Sequence, residues 1–202
     1  MLTLPVRKRP LEGELLDRLA RRWESAEGKA FADFSLLSDS GKTFAIDRNL
    51  LCVWSEVFET MLTAEMQEKR TKEVAISGFS DTALDGFVSF MQSCQLPVNC
   101  RTGQPLQELY KLGHKYRVKE LEDGCKALLL SKMDVSVVEE LLRLGTTYED
   151  PQLTLAAQQC LCDHWNELDE SGRLDQIQVN LPKELLKAVA AIFVNGKKGD
   201  EK

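Results

Sequence analysis

Few residues in this chain are of a type and spacing that could do chemistry. There are two histidines, His114 and His164, and six cysteines among 202 residues. The densest cluster is Cys160-x-Cys162-x-His164. Those are zinc-ligand types, and a structural zinc takes four protein ligands. On a helix, residues two apart point about 200° away from each other. Cys160 and Cys162 therefore cannot grip one ion, and Cys160 with His164 supplies two ligands. No Gly-rich phosphate loop, His-Glu-x-x-His or nucleophile elbow occurs. The expectation is no catalytic residue, no metal and no cofactor, so no enzyme. Recognition is the remaining route to function. Met66-Gln67-Glu68 stands in the charged run Glu65–Lys72. Taken alone, it reads as a solvated linker whose methionine touches the core.

Composition narrows the classes. Hydrophobic residues are 43% and charged residues 29%, as in an ordinary globular protein. The length suffices for one core and a small second unit. The net charge of −6 gives no electrostatic support for nucleic-acid binding. No apolar run approaches the length of a membrane span, and the start carries no signal-peptide pattern. Scattered cysteines without framework spacing fit a reduced, intracellular protein, in nucleus or cytoplasm. Arg7-Lys8-Arg9 is too short a basic run to outweigh a solvated terminus.

The elements that would position any site follow from periodicity. Pro10 suits a first helical turn, and Leu11, Leu15, Leu19 and Trp23 follow at steps of four, with Leu16 beside them. Phe34 and Leu36, then Phe44 and Ile46, alternate with polar residues, which predicts two half-buried strands. Asp39-Ser40-Gly41 between them supplies turn chemistry for a hairpin. Leu50, Leu51 and Trp54 share a helical face. Ser55 is placed to cap a second helix carrying Phe58, Met61 and Leu62. Glu73–Ile76 reads as a further strand. Ser80 and Asp81 open a helix with Leu84, Phe87, Val88 and Met91 on one face, and Pro97, Gly103 and Pro105 bracket a loop near 95–105.

The C-terminal half repeats itself. Leu112-Gly113-x-x-Tyr116, followed by Leu121 and Cys125, is echoed 32 residues later by Leu144-Gly145-x-x-Tyr148, Leu153 and Ala157. That is the length of a helical hairpin. A mid-helix Gly costs about 1 kcal/mol relative to Ala, so Gly113 and Gly145 mark close helix contacts. Asp150-Pro151 is a cap and first turn for a helix carrying Cys160, Leu161 and His164. Leu185, Leu186, Val189, Ile192 and Phe193 form the stripe of one more helix, ended by Gly196.

The spacing Phe31-x-Asp33, Gly41-x-x-Phe44, Leu51, Ser55-x-Val57-Phe58-x-x-Met61-Leu62 resembles the BTB/POZ family. Trp23-Glu24 and Met66-Gln67-Glu68 resemble its speckle-type group. The likeness covers roughly residues 15–168. It implies an α+β fold, a small sheet flanked by helices, normally in a homodimer. The expected layout is a flexible start at 1–10, a BTB/POZ domain at 11–131, a helical BACK-like extension at 132–195 and a disordered tail at 196–202. Chains of this kind bury about 2,000 Å² or more on dimerising. The resemblance puts Leu15, Leu16, Leu19, Trp23, Asp33 and Arg48 at that interface. Asp33 is expected to pair with Arg48 in a buried site, the alternative being a polar residue at a strand end.

In the resembling family, hydrophobic-x-Glu at the place of Met66 and Glu68 docks on a cullin scaffold (cullin-three) of ubiquitin ligases. The implied reading is a substrate adaptor with the cullin and an unnamed client as partners. Two departures stand against it. Asp47 replaces the usual His, and Gln92 replaces a Tyr that faces the cullin. Losing an aromatic anchor costs about 2 kcal/mol or more, roughly thirtyfold in affinity. The chain also leaves no room for a separate substrate-reading domain, so a pure oligomerisation module is the alternative.

Overall fold

The computed structural model describes residue 21 and residues 32–63 and 71–172. Leu15, Leu16, Leu19, Trp23, Met66 and Glu68 lie outside the described residues, as does the stripe from Leu185 to Phe193. The chain divides into two compact units, Met1–Cys125 and Lys126–Lys202.

The first unit is organised on strand β1 (Phe34–Ser38). It pairs antiparallel with β2 (Thr43–Ile46), setting Leu36 opposite Phe44. On its other side it pairs parallel with β3 (Glu73–Ile76), setting Leu36 beside Val74. The order is β2-β1-β3. Phe34, Leu36, Phe44, Ile46, Val74 and Ile76 are all buried, the outcome that period-two alternation dictates for a one-sided sheet. Gly41 has φ +83° in the tight connection, a conformation open to glycine at no steric cost.

Helices α1 (Arg48–Trp54) and α2 (Glu56–Thr63) follow, with Leu51, Phe58 and Leu62 turned into the core. Asp47 caps α1 by accepting from the Asn49 amide at 2.7 Å. Ser55 separates the helices, and its Oγ accepts from the Phe58 amide at 3.2 Å. Helix α3 (Asp81–Ser93) starts at the Ser80 cap and buries Leu84, Phe87, Val88 and Met91.

The expected loop at 95–105 is shorter than its Pro and Gly content suggested. Val98–Cys100 forms a 3-10 turn, and helix α4 (Gly103–Lys115) already includes Pro105. In the first turn an amide has no intrahelical acceptor, so proline loses nothing. Helix α5 (Lys119–Ser131) completes the first hairpin.

The second unit contains α6 (Val138–Thr147), α7 (Pro151–Asp163) and α8 (Trp165–Glu170). Val138, Leu141, Leu142 and Leu144 pack with Leu153, Ala157 and Leu161. Helix α7 stops at Asp163, one residue short of the expected His164, which becomes its C-cap.

Candidate interaction surface

Three groups of residues on the described surface stand out by their geometry. The first is at the start of α1. Asp33 Oδ1 accepts from the Arg48 amide at 2.9 Å, and the Arg48 guanidinium lies 3.7 Å from Asp33 Oδ2. The expected partners are thus brought together, with Asp47 beside them. Within the single chain the pair is open: the Arg48 and Asp33 side chains are 45% and 41% exposed. An exposed ion pair contributes little by Coulomb attraction alone. Its firm part is the hydrogen bond to an orphan amide at the positive end of α1.

The second is the end of α3. Gln92 is half-buried in its last turn. Cys94 ends the helix in the left-handed region at φ 58°. The preceding turn is fixed from outside, because the Trp54 indole N–H donates to the Met91 carbonyl at 2.8 Å. The Trp54 ring also packs against Phe90, centroids 5.6 Å apart and tilted by 53°. From the sequence, Trp54 is legible only as sharing a helical face with Leu50 and Leu51. A link spanning 37 positions leaves no periodic trace.

The third is an open cleft of about 450 Å³ where α1 and α2 meet the α4–α5 turn. Cys52, Val53, Trp54, Glu56 and Glu59 line one side, and Arg117, Lys119 and Glu120 the other. Val53 is 79% exposed. Beneath the cleft, Ser55 Oγ donates to the Tyr116 carbonyl, and Phe58 stacks on Tyr116 at 4.6 Å and 6°. Both walls are therefore tied to one buried aromatic cluster.

The chemistry of the thiols points away from nucleophilic catalysis. Burial pushes all six upward, Cys125 to about 12. The thiolate is the reactive form, so these cysteines are held in the inert one. His164 Nδ1 lies 2.9 Å from the Cys160 carbonyl oxygen and 4.0 Å from its sulfur. Among the described residues, no three His, Cys, Asp or Glu gather to hold a metal. No helix among them is long and apolar enough to cross a membrane.

Comparison with known proteins assigns this arrangement. The description "BTB/POZ domain" matches residues 24–133, more than half of the chain. The chain belongs to the BTB/POZ family. Its α+β architecture, a small sheet flanked by helices, is that of a family of protein interaction modules. This BTB chain is 20% identical to Kelch-like protein 40 of Xenopus laevis over 166 residues, which is 82% of the chain and 26% of the relative. It is 27% identical to human Kelch-like protein 23 over 138 residues, 68% of the chain and 24% of the relative. It is 24% identical to human Kelch repeat and BTB domain-containing protein 4 over 79% of the chain and 28% of the relative. The chain thus spans about a quarter of the length of these relatives. The BTB domain of human Gigaxonin aligns with a TM-score of 0.46 at 18% identity, over 62% of this chain and 97% of that one. That of zebrafish PATZ1 aligns at 0.47 and 19%, over 65% and 100%. Likeness to the speckle-type group rests on Trp23-Glu24 and Met66-Gln67-Glu68 alone.

Proposed function

We propose that this BTB chain is a homodimeric interaction module and a substrate adaptor, binding the cullin-three scaffold of a cullin-RING ubiquitin ligase. The observation that carries the reading is Met66-Gln67-Glu68 standing inside a family match that spans residues 24–133. In this reading Met66 enters an apolar groove of the cullin, Glu68 makes polar contacts, and Gln92 faces the same partner. The dimer buries Leu15, Leu16, Leu19 and Trp23. It also covers Asp33 and Arg48, whose exposure in the single chain leaves them room to meet a second copy. Residues 11–131 form the BTB/POZ domain and 132–195 a BACK-like extension, between a flexible start and a disordered tail. The protein has no enzymatic activity, binds neither nucleic acid nor membrane, and works inside the cell in nucleus or cytoplasm.

Calorimetry of the full chain with the N-terminal half of the cullin tests the adaptor. Saturable heat at tens of micromolar, lost in Met66→Asp, is expected. Absence of heat, or indifference to that substitution, removes the reading. A second reading follows from Gln92 standing where the family has Tyr: a module that dimerises for a transcriptional or structural assembly and ignores the cullin. Light scattering that found a monomer at micromolar concentration would dispose of both.

A further inference from the structure

This inference rests on the cullin-adaptor reading and concerns how the docking surface replaces its missing aromatic anchor. Gln92 offers an amide where a large ring would supply most of the contact. Trp54 is the nearest remedy in the structure. It stands at the end of α1, half-buried, on the wall of the cleft. Its indole N–H is bonded to the carbonyl of Met91, one peptide from Gln92. Phe90 holds one side of the ring. The polar atom of the side chain is satisfied and the ring orientation is set before any partner arrives. The half-buried side chain lines the cleft, with its one polar atom already bonded.

A fixed aromatic is the cheapest anchor a surface can present. Little rotamer freedom is lost on binding, and desolvating the ring leaves no unpaired donor. Val53, 79% exposed at the preceding position of α1, adds a second apolar side chain to the cleft lining. The rim is charged, and two of its cations are occupied. Arg117 lies 3.7 Å from Glu56, and Lys119 lies 2.7 Å from Asp123. Glu59 and Glu120 line the cleft outside those two pairs. The surface therefore suits an apolar side chain flanked by a basic one.

We propose that Trp54 is the aromatic anchor of the cullin-facing surface. The ring receives an apolar side chain of the scaffold, and Glu59 and Glu120 receive a neighbouring basic residue.

The test is calorimetry of the full chain against the N-terminal half of the cullin, with thermal melting and light scattering on every variant. Trp54→Ala is expected to weaken binding about thirtyfold. Trp54→Phe, which keeps an aromatic ring but loses the N–H that ties it to the Met91 carbonyl, is expected to bind more weakly than wild type and more tightly than Trp54→Ala. Val53→Asp, at a position 79% exposed, is expected to weaken binding about tenfold. Raising the salt concentration is expected to weaken wild type more than Glu59→Lys. The anchor is overturned if Val53→Asp and a folded Trp54→Ala both bind within twofold of wild type while Met66→Asp does not bind. In that outcome the adaptor reading stands. Absence of binding by the wild-type chain overturns both. If Trp54→Ala does not fold, Val53→Asp decides alone.

Discussion

Helices α4 and α6 stop by the same backbone device. Tyr116 and Tyr148 donate to Leu112 and Leu144 at 3.0 and 3.1 Å. Arg117 and Glu149 then turn left-handed, each at φ 52°. Val118 and Asp150 reach back to the carbonyls of Gly113 and Gly145 at 2.8 and 2.7 Å, the six-to-one bond of a Schellman end. The following helix crosses so close that a Cβ on Gly113 would lie 2.9 Å from the Glu122 amide nitrogen. One on Gly145 would lie 2.8 Å from that of Thr154. The cores match as well: Leu106, Leu109, Leu112, Leu121, Cys125 and Leu129 are buried, as are Val138, Leu141, Leu144, Leu153, Ala157 and Leu161.

The turns are secured in different ways. In the first hairpin Val118 is fully buried, and Tyr116 stacks on Phe58 and meets Phe87 at a tilt of 46°. In the second, Asp150 occupies the position of Val118. It caps α7 through the Gln152 and Leu153 amides, both at 3.1 Å, and pairs with Lys126 at 2.7 Å. The Asp150 and Lys126 side chains are 5% and 15% exposed. One geometry thus tolerates an apolar and an ionic solution. The ionic one is the more fragile to single changes, because removing either partner strands a buried charge.

The sharpest way to break this comparison is to remove that pair. Asp150→Ala is expected to cost about 3 kcal/mol, from the stranded lysine and the lost cap together. Urea unfolding or exchange protection over α6 and α7 reads it. The double variant Asp150→Val, Lys126→Met copies the first hairpin and is expected to be more stable than Asp150→Ala. A double variant no better than the single would mean that the second turn needs its charges for more than capping.

Gly113→Ala and Gly145→Ala come next, at about 2 kcal/mol each, since backbone atoms of Glu122 and Thr154 stand in the way and cannot swing aside, with Thr154 Oγ1 at 2.7 Å a further obstacle at Gly145. Unequal losses in denaturant midpoint would show that the two crossings are not equivalent.

A smaller effect separates Glu108 from Glu140, which stand 32 residues apart. Glu108 is buried and accepts from the Ser80 amide at 3.0 Å, from Ser80 Oγ and from Gln104. Burial alone would raise its carboxyl, but those bonds and nearby Lys111 hold it below the usual value. A carboxyl lowered by folding contributes its stability above the unfolded pKa, about 4.3, and loses it as pH falls further. Glu108→Gln is expected to flatten the acid limb of a stability–pH curve. Glu140 instead makes a partly exposed pair with Arg143 at 2.6 Å.

The least effect is expected at the left-handed positions. Glu149→Gly relieves a penalty of about 1 kcal/mol, partly offset by the entropy of glycine in the unfolded chain. A small rise in Tm measures it.

What the sequence shows and what it hides follow from distance along the chain. The β1–β2 hairpin, the Ser55 and Ser80 caps and the 32-residue echo are written in neighbouring residues, whose spacing reports which face is buried. The repeat even reports the close approach at both glycines. The Trp54 link to Met91, the Glu108 link to Ser80 and the Lys126 link to Asp150 join residues on different elements, where no period connects them. Pro105 misled for a related reason. Proline breaks a helix interior and is neutral in a first turn, and Thr102 at the helix start makes no side-chain cap bond. Asp33 and Arg48 were legible as partners through the family pattern, whereas their openness in the single chain was not.

Strand β1 has unlike neighbours, and the difference sets an order of events. The hairpin with β2 closes within a few residues, so it can form as soon as Ile46 is free to pair. The parallel partner β3 begins at Glu73, after two helices, and its pairing waits on a much larger closure. During synthesis the chain therefore passes through a stage in which one flank of β1, with Leu36 at its centre, is a bare strand edge. At that stage a chaperone, or another unfinished copy, can reach the site that β3 later fills.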